Sequence, residues 1–318
     1  MPPLPRASLR SLLAALCALS CLPASAQLTG RAVDTVNVQR LANGILGLMS
    51  YTVAPDVTTS SMSVENSATA NPGLMLTQLG GGFTWSRDTP LYLEGNAAYS
   101  RYDPTFVATD GTDQRLIPVK WNSVSVTGGI GWDFPLAPNW VLRPIFNFTY
   151  GRVTSDLVLA RWWIENNSNV DLQFLDQGKL EAKGVGGSLM IDYELFAPDA
   201  DVDLEVRYTN VKLRNSGDRA ELIDSSASAE TASIWARRRV PTGWVVWERP
   251  VRYVLEGAYS RFLGSQKEVG VDRMASVGVG LELDSSAYDI WATRWRAVLR
   301  YKFGPDISGW SLGLAVSF

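Results

Sequence analysis

The 318-residue sequence contains no histidine, and its only two cysteines, Cys17 and Cys21, stand within the first 26 residues. Without histidine, no side chain of ordinary pKa near neutrality is available to deprotonate a serine nucleophile. Beyond residue 26 there is no thiolate, no disulfide and no sulfur or imidazole ligand for a zinc centre. Carboxylates alone could hold calcium in a loop such as Asp110–Asp113, but not a catalytic zinc. Acid–base chemistry on sugars stays formally open, yet acids interleaved with arginines are better explained by ion pairing. No enzymatic activity, metal or cofactor is therefore expected. Past Ala26 no apolar run reaches the roughly 18 residues that a membrane-spanning helix needs. No basic tract suggests a nucleic-acid partner. The Gly278-Val279-Gly280 stretch is no nucleotide-binding fingerprint, because strand continues where a helix should begin.

The amino-terminus combines Arg6 and Arg10, an apolar run from Leu12 to Leu22, Pro23, and the small residues Ala24-Ser25-Ala26. Positive charge, a short apolar core and an A-x-A site in that order describe a secretory signal peptide over residues 1–26. Acylation at Cys21 is the competing reading, and Ala18-Leu19-Ser20 fits its pattern poorly. Removing Arg6 and Arg10 from the 29 basic residues leaves 27 against 32 acids, a mildly acidic mature chain.

Residues 27–56 are not strand-like. Asp34 or Thr35 could cap a helix in which Val38, Leu41, Ile45 and Leu48 recur at helical spacing, weakened by Gly44 and Gly47. This segment is expected either on a periplasmic rim or inside a barrel as a plug helix, since periodicity cannot say what its apolar stripe faces.

From residue 57 to Phe318 the chain breaks into short alternating runs separated by turn residues. They are Thr58–Asn66, Leu74–Trp85, Leu91–Tyr102, Trp121–Phe134, Trp140–Tyr150, Leu180–Phe196, Val202–Lys212, Thr231–Val240, Val251–Leu263, Val271–Leu283, Tyr288–Phe303 and the terminal run. The turn between Pro241 and Pro250 has no clear position. About twelve strands follow, each near the length that crosses a bilayer at a tilt. Connections after even-numbered runs are mostly short and those after odd-numbered runs mostly long, the asymmetry of periplasmic turns and external loops. The fold class expected is all-β: a closed antiparallel transmembrane barrel of about twelve strands preceded by a short helical segment.

The two faces of these strands differ. One carries large apolar residues, with Trp85, Trp121, Trp132, Trp140 and Trp310 near strand ends, as aromatic girdles require. The other carries charges of both signs: Glu94, Arg143, Asp192, Glu194, Glu205, Arg207, Arg252, Glu256, Glu282, Arg294, Arg296 and Arg300. A salt-bridge network that stiffens the interior is favoured over an electrostatic lining that selects solutes, because a barrel of this size leaves little free room.

The last run alternates Trp310, Leu312, Leu314, Val316 and Phe318 with Ser311, Gly313, Ala315 and Ser317. With Ser311, Gly313, Val316 and Phe318 in its four places, it resembles the carboxy-terminal β-signal of bacterial outer-membrane barrels. Together with the strand count, the segment ahead of the first strand and the Pro55-Asp56-Val57-Thr58-Thr59-Ser60 entry, the mature chain resembles the translocator β-domain of autotransporters. That resemblance implies an outer-membrane location, the lipid bilayer and the barrel-assembly machinery as partners, and a monomer. Only residues 27–56 precede the barrel, so no passenger is expected and a secretion role does not simply carry over. A narrow or plugged pore is the leading expectation. The alternative is a structural or surface-interaction protein acting through the loops around Trp162-Trp163 and Asn215–Ser228.

Overall fold

The computed structural model describes residues 46–47, 49–53, 59–64, 74–102, 105–109, 114–118, 121–155, 179–216, 225–266, 272–287, 293–305 and 307–317. Fifteen strands lie among them: β1 (Thr59–Val64), β2 (Leu74–Thr84), β3 (Leu91–Tyr102), β4 (Thr105–Thr109), β5 (Gln114–Pro118), β6 (Trp121–Trp132), β7 (Phe134–Ala137), β8 (Trp140–Ser155), β9 (Lys179–Leu195), β10 (Asp201–Asn215), β11 (Ser226–Val246), β12 (Arg249–Phe262), β13 (Arg273–Asp284), β14 (Arg294–Gly304) and β15 (Ile307–Ser317). No helix among the described residues is long and apolar enough to cross a membrane.

Twelve of the strands correspond to the twelve alternating runs. Each joins its neighbours antiparallel in one sheet, in the order β6-β3-β2-β1-β15 and on down to β8, with β6 also pairing β8. The three additions are short. Strands β4 and β5 form a separate hairpin within the long connection after the third run. Strand β7 pairs only with β8, where a plain turn was expected. Strand β11 runs to Val246, beyond the expected Val240, and the unlocated turn falls at Trp247 and Glu248. Both have positive φ (50° and 63°), the handedness that matches a two-residue hairpin to strand twist.

The sheet is inside-out for a soluble protein. On β6 the pattern alternates residue by residue, with Ser123, Ser125 and Thr127 buried and Val124, Val126 and Ile130 about half exposed. The same holds for Val277, Val279 and Leu281 on β13 and for Leu312 and Leu314 on β15. Burying the small and polar side chains while exposing the large apolar ones is favourable only if the outer surface meets hydrocarbon. Trp85 and Trp310, 67% and 62% exposed at strand ends, fit an interfacial girdle. Trp121 corrects one expectation. It is 3% exposed, because it shares the inward parity of Ser123 and Ser125.

Short connections (85–90, 133–139, 196–200 and 247–248) gather at one end of the sheet, here called the short-turn end. Those spanning 103–120, 156–178, 216–225 and 263–272 lie at the other, the long-loop end. The asymmetry fails only late in the chain, where 285–293 joins β13 to β14 at the short-turn end and 305–306 joins β14 to β15 at the long-loop end.

Candidate functional site

The inner face divides into two chemically different halves. In the short-turn half, arginines and carboxylates form three groups.

Glu94 on β3 receives Arg207 of β10 through two hydrogen bonds, 2.7 and 2.9 Å, with β6, β8 and β9 lying between the two strands in the sheet. Asn147 donates to Glu94 at 2.6 Å, and Arg207 also donates to Ser188 and Thr209. Both charged side chains are almost fully buried, at 1% and 3% exposure. Room for Glu94 exists because Gly129 has no Cβ, which would stand 2.5 Å from the glutamate Cγ.

In the second group, Arg143 bonds Asp133 through Nε and Nη2 and reaches Asp192 at 3.2 Å. Its guanidinium lies 4.0 Å from the centroid of the Tyr92 ring, and Tyr92 packs with Ile145 and Met190 in a small buried cluster. Thr84 completes the shell with a 2.7 Å bond to Asp133.

The third group is a lattice over β10–β14. Strand register sets Asp201 opposite Arg239, Asp203 opposite Arg237, Arg237 opposite Glu256, Arg252 opposite Glu282, and Glu282 opposite Arg296. Opposite residues share a face, so signs alternate from strand to strand. Arg237 meets Asp203 at 2.6 Å and Arg239 meets it at 2.9 Å. Arg252 bridges Asp201 and Asp284, and Arg296 holds Glu282 at 2.5 Å. Arg300 reaches past β13 to Glu256 at 2.6 Å. Two glycines permit that reach: a Cβ on Gly278 would stand 2.9 Å from Arg300 Cγ, and one on Gly313 would collide with its guanidinium. Isolated buried charges would cost several kcal/mol each, so mutual pairing is the condition under which these residues can line the interior.

The long-loop half carries amides and hydroxyls, and a separate piece of chain sits on them. Leu46, Gly47, Met49 and Ser50 are helical, and Tyr51–Val53 turn out of that helix. Leu46, Met49, Thr52 and Val53 are at most 1% exposed, and Tyr51 is 7% exposed. Met49 sits where a Cβ on Gly151 of β8 would be. The Tyr51 ring meets Phe262, the last residue of β12, edge-on at 4.9 Å, and its hydroxyl donates to the Gln266 carbonyl at 2.6 Å. The hydroxyls of Thr52 and Ser125 are 2.6 Å apart. Side-chain amides of Gln266, Gln78 and Asn96 donate to the carbonyls of Ser50, Tyr51 and Thr52 in turn.

Of the charges singled out in the sequence, Glu94, Arg143, Asp192, Arg207, Arg252, Glu256, Glu282, Arg296 and Arg300 enter these ion pairs. Glu194 and Glu205 enter none, and Glu194 is exposed near the end of β9. Arg294 instead lies 5.4 Å from the Phe196 ring. The charges singled out in the sequence do not include Asp133, Asp201, Asp203, Arg237, Arg239 and Asp284. Strand parity does set Asp133 with Ser123, Ser125 and Thr127, and Asp203 with Arg207, on the inward side. The run Arg237-Arg238-Arg239 hides its own parity, and only its outer pair turns inward while Arg238 is exposed. Ser311 and Gly313 of the carboxy-terminal signal face inward and Val316 is half-buried; Phe318 lies outside the described residues. Val38, Leu41, Ile45 and Leu48 also lie outside them.

Residues 53–158 match the family model of the autotransporter beta-domain. No curated protein matches the sequence. Among solved structures, the beta domain of the Bordetella autotransporter BrkA is similar at 15% identity, over 82% of this chain and 97% of that one, with a TM-score of 0.46. The transport unit of AIDA-I from Escherichia coli is similar at 13% identity, over 87% and 99%, with a TM-score of 0.45. For the translocator domain of NalP from Neisseria meningitidis the values are 12%, 82%, 86% and 0.41. Over residues 53–158, about a third of its length, the chain is thus similar to the autotransporter beta-domain, and its place is the bacterial outer membrane.

Proposed function

We propose that the twelve long strands close into a transmembrane cylinder whose lumen is filled by the chain's own residues ahead of β1, making a plugged pore of translocator type. Closure is supported by the pairing of β1 on both sides, with β2 and, at Thr59↔Leu314 and Ser60↔Gly313, with β15. A closed ladder leaves no unpaired edge in hydrocarbon, where each unsatisfied group would cost several kcal/mol. The observation that carries the plug is the burial of Leu46 and Met49–Val53 against side chains of β2, β3, β6 and the segment after β12, with Met49 over Gly151 of β8.

Direction matters as well as burial. Tyr51 contacts Phe262 and Gln266 at the long-loop end, whereas Thr59 pairs with Leu314, four residues from the carboxy-terminus. Tyr51 is therefore held toward the long-loop end and Thr59 toward the short-turn end. On this reading residues 27–56 include a lumenal segment, residues 57–318 form the barrel, and the paired charges stiffen its wall. The role is non-enzymatic. The protein acts as a monomer, and its terminal strand, with Ser311, Gly313, Val316 and Phe318, is read by the assembly machinery.

Planar-bilayer conductance tests the plug. The refolded mature protein is expected to hold no stable open level, and deletion of residues 27–56 is expected to give one. Full conductance from the intact chain would overturn the reading.

A further inference from the structure

The hold on the lumenal segment is directed at its backbone. Three consecutive carbonyls, those of Ser50, Tyr51 and Thr52, each accept from an amide on a different part of the wall. Asn96 Nδ2 of β3 donates to Thr52 at 2.7 Å. Gln78 Nε2 of β2 donates to Tyr51 at 3.4 Å, and Gln266 Nε2 donates to Ser50 at 3.5 Å, both long bonds. The last carbonyls of a helical turn have no partner within it and need one from outside.

Amide orientation fits that need. Asn96 Oδ1 and Gln78 Oε1 are buried and accept no hydrogen bond, so the NH₂ end of each amide, its only donor, is the end engaged. Reversing either amide would set its oxygen against a carbonyl oxygen. Gly80 leaves the space that Asn96 occupies, since a Cβ there would stand 2.9 Å from Asn96 Oδ1.

A carbonyl is common to every amino acid, so these three contacts do not depend on which side chains pass. Tyr51 and Met49 add contacts that do. We propose that Asn96, Gln78 and Gln266 form a clamp that binds polypeptide by its main-chain carbonyls. The ligand class of the long-loop half is then a peptide backbone and not a small solute. The inference rests on the lumenal placement proposed above and adds what the wall recognises.

Cysteine accessibility in the full-length mature chain tests both. That chain is free of thiols once Cys17 and Cys21 leave with the signal peptide, so Val53→Cys, at a position 1% exposed, gives a single reporter. Folding is checked by heat-modifiable gel mobility, and the rate of maleimide labelling is read. With the amides intact, Cys labelling is expected to be slow. Adding Asn96→Asp and Gln78→Glu, near-isosteric changes that turn donors into acceptors, is expected to raise the rate about tenfold or more, the effect of losing one to two net hydrogen bonds. A side-chain variant outside the clamp, Arg238→Gln at an exposed position of β11, is expected to leave the rate within about twofold.

Fast labelling with the amides intact would overturn the lumenal placement itself. Slow labelling that the amide variant does not change would overturn the clamp alone, as would equal release by the side-chain variant. Should the double variant fail to fold, Asn96→Asp alone decides, because its 2.7 Å bond is the shortest of the three.

Discussion

The two halves of the inner face solve the same problem with different chemistry. At the short-turn end the wall is tied to itself by charge: Arg207 to Glu94, Arg143 to Asp133 and Asp192, and the lattice from Asp201 to Arg300. At the long-loop end the wall offers neutral donors and hydroxyls, and these hold a segment that is not part of the sheet. Breaking one partner out of a buried ion pair costs about 3–5 kcal/mol. A neutral hydrogen bond contributes a net ~0.5–1.5 kcal/mol. The charged half is therefore suited to permanence. The neutral half suits a segment held by several weak ties, each of which can be exchanged singly.

That contrast can be broken from either side. The largest effect is expected from Arg207→Met, which leaves Glu94 buried without its partner. It should lower stability to urea unfolding by about 3–5 kcal/mol while the lumen stays closed, and pairing it with Glu94→Gln should recover most of the loss. If Arg207→Met opened the pore without destabilising the barrel, the charged half would be the gate. A smaller effect on stability, about 1–3 kcal/mol, is expected from Gly151→Leu, which fills the place of Met49 and also crowds the Val124 carbonyl. Here the open level in planar bilayers is the telling readout. It should appear in Gly151→Leu and be absent from Arg207→Met.

How much of this could be seen in the sequence follows from period and reach. A period of two in side-chain direction is local, so all twelve long strands could be read from runs such as Val124–Trp132, and inward charges such as Glu94 and Arg207 could be assigned by parity. Which charges meet is not local. Glu94 and Arg207 are 113 positions apart, and nothing in either strand announces the other. Likewise Arg300 selects Glu256 across β13 only because Gly278 is small, a fact of register. Trp121 was misjudged because nearness to a strand end outweighed its parity. The clamp was illegible for a different reason: its ligands are carbonyls, which every residue carries, and Asn96 and Gln78 look like any other inward polar residues.

The central claim is that the chain's own Leu46, Gly47 and Met49–Val53 occupy the lumen. The most direct measurement is disulfide formation between Thr52→Cys and Ser125→Cys in the full-length mature protein, which has no other thiol. The two side-chain oxygens are 2.6 Å apart on buried residues of the segment and of β6. The account predicts rapid, near-complete intramolecular crosslinking in folded barrels, seen as a shift on non-reducing gels, with no open conductance level in the oxidised protein. Folded barrels in which both cysteines stay free and label freely would contradict it.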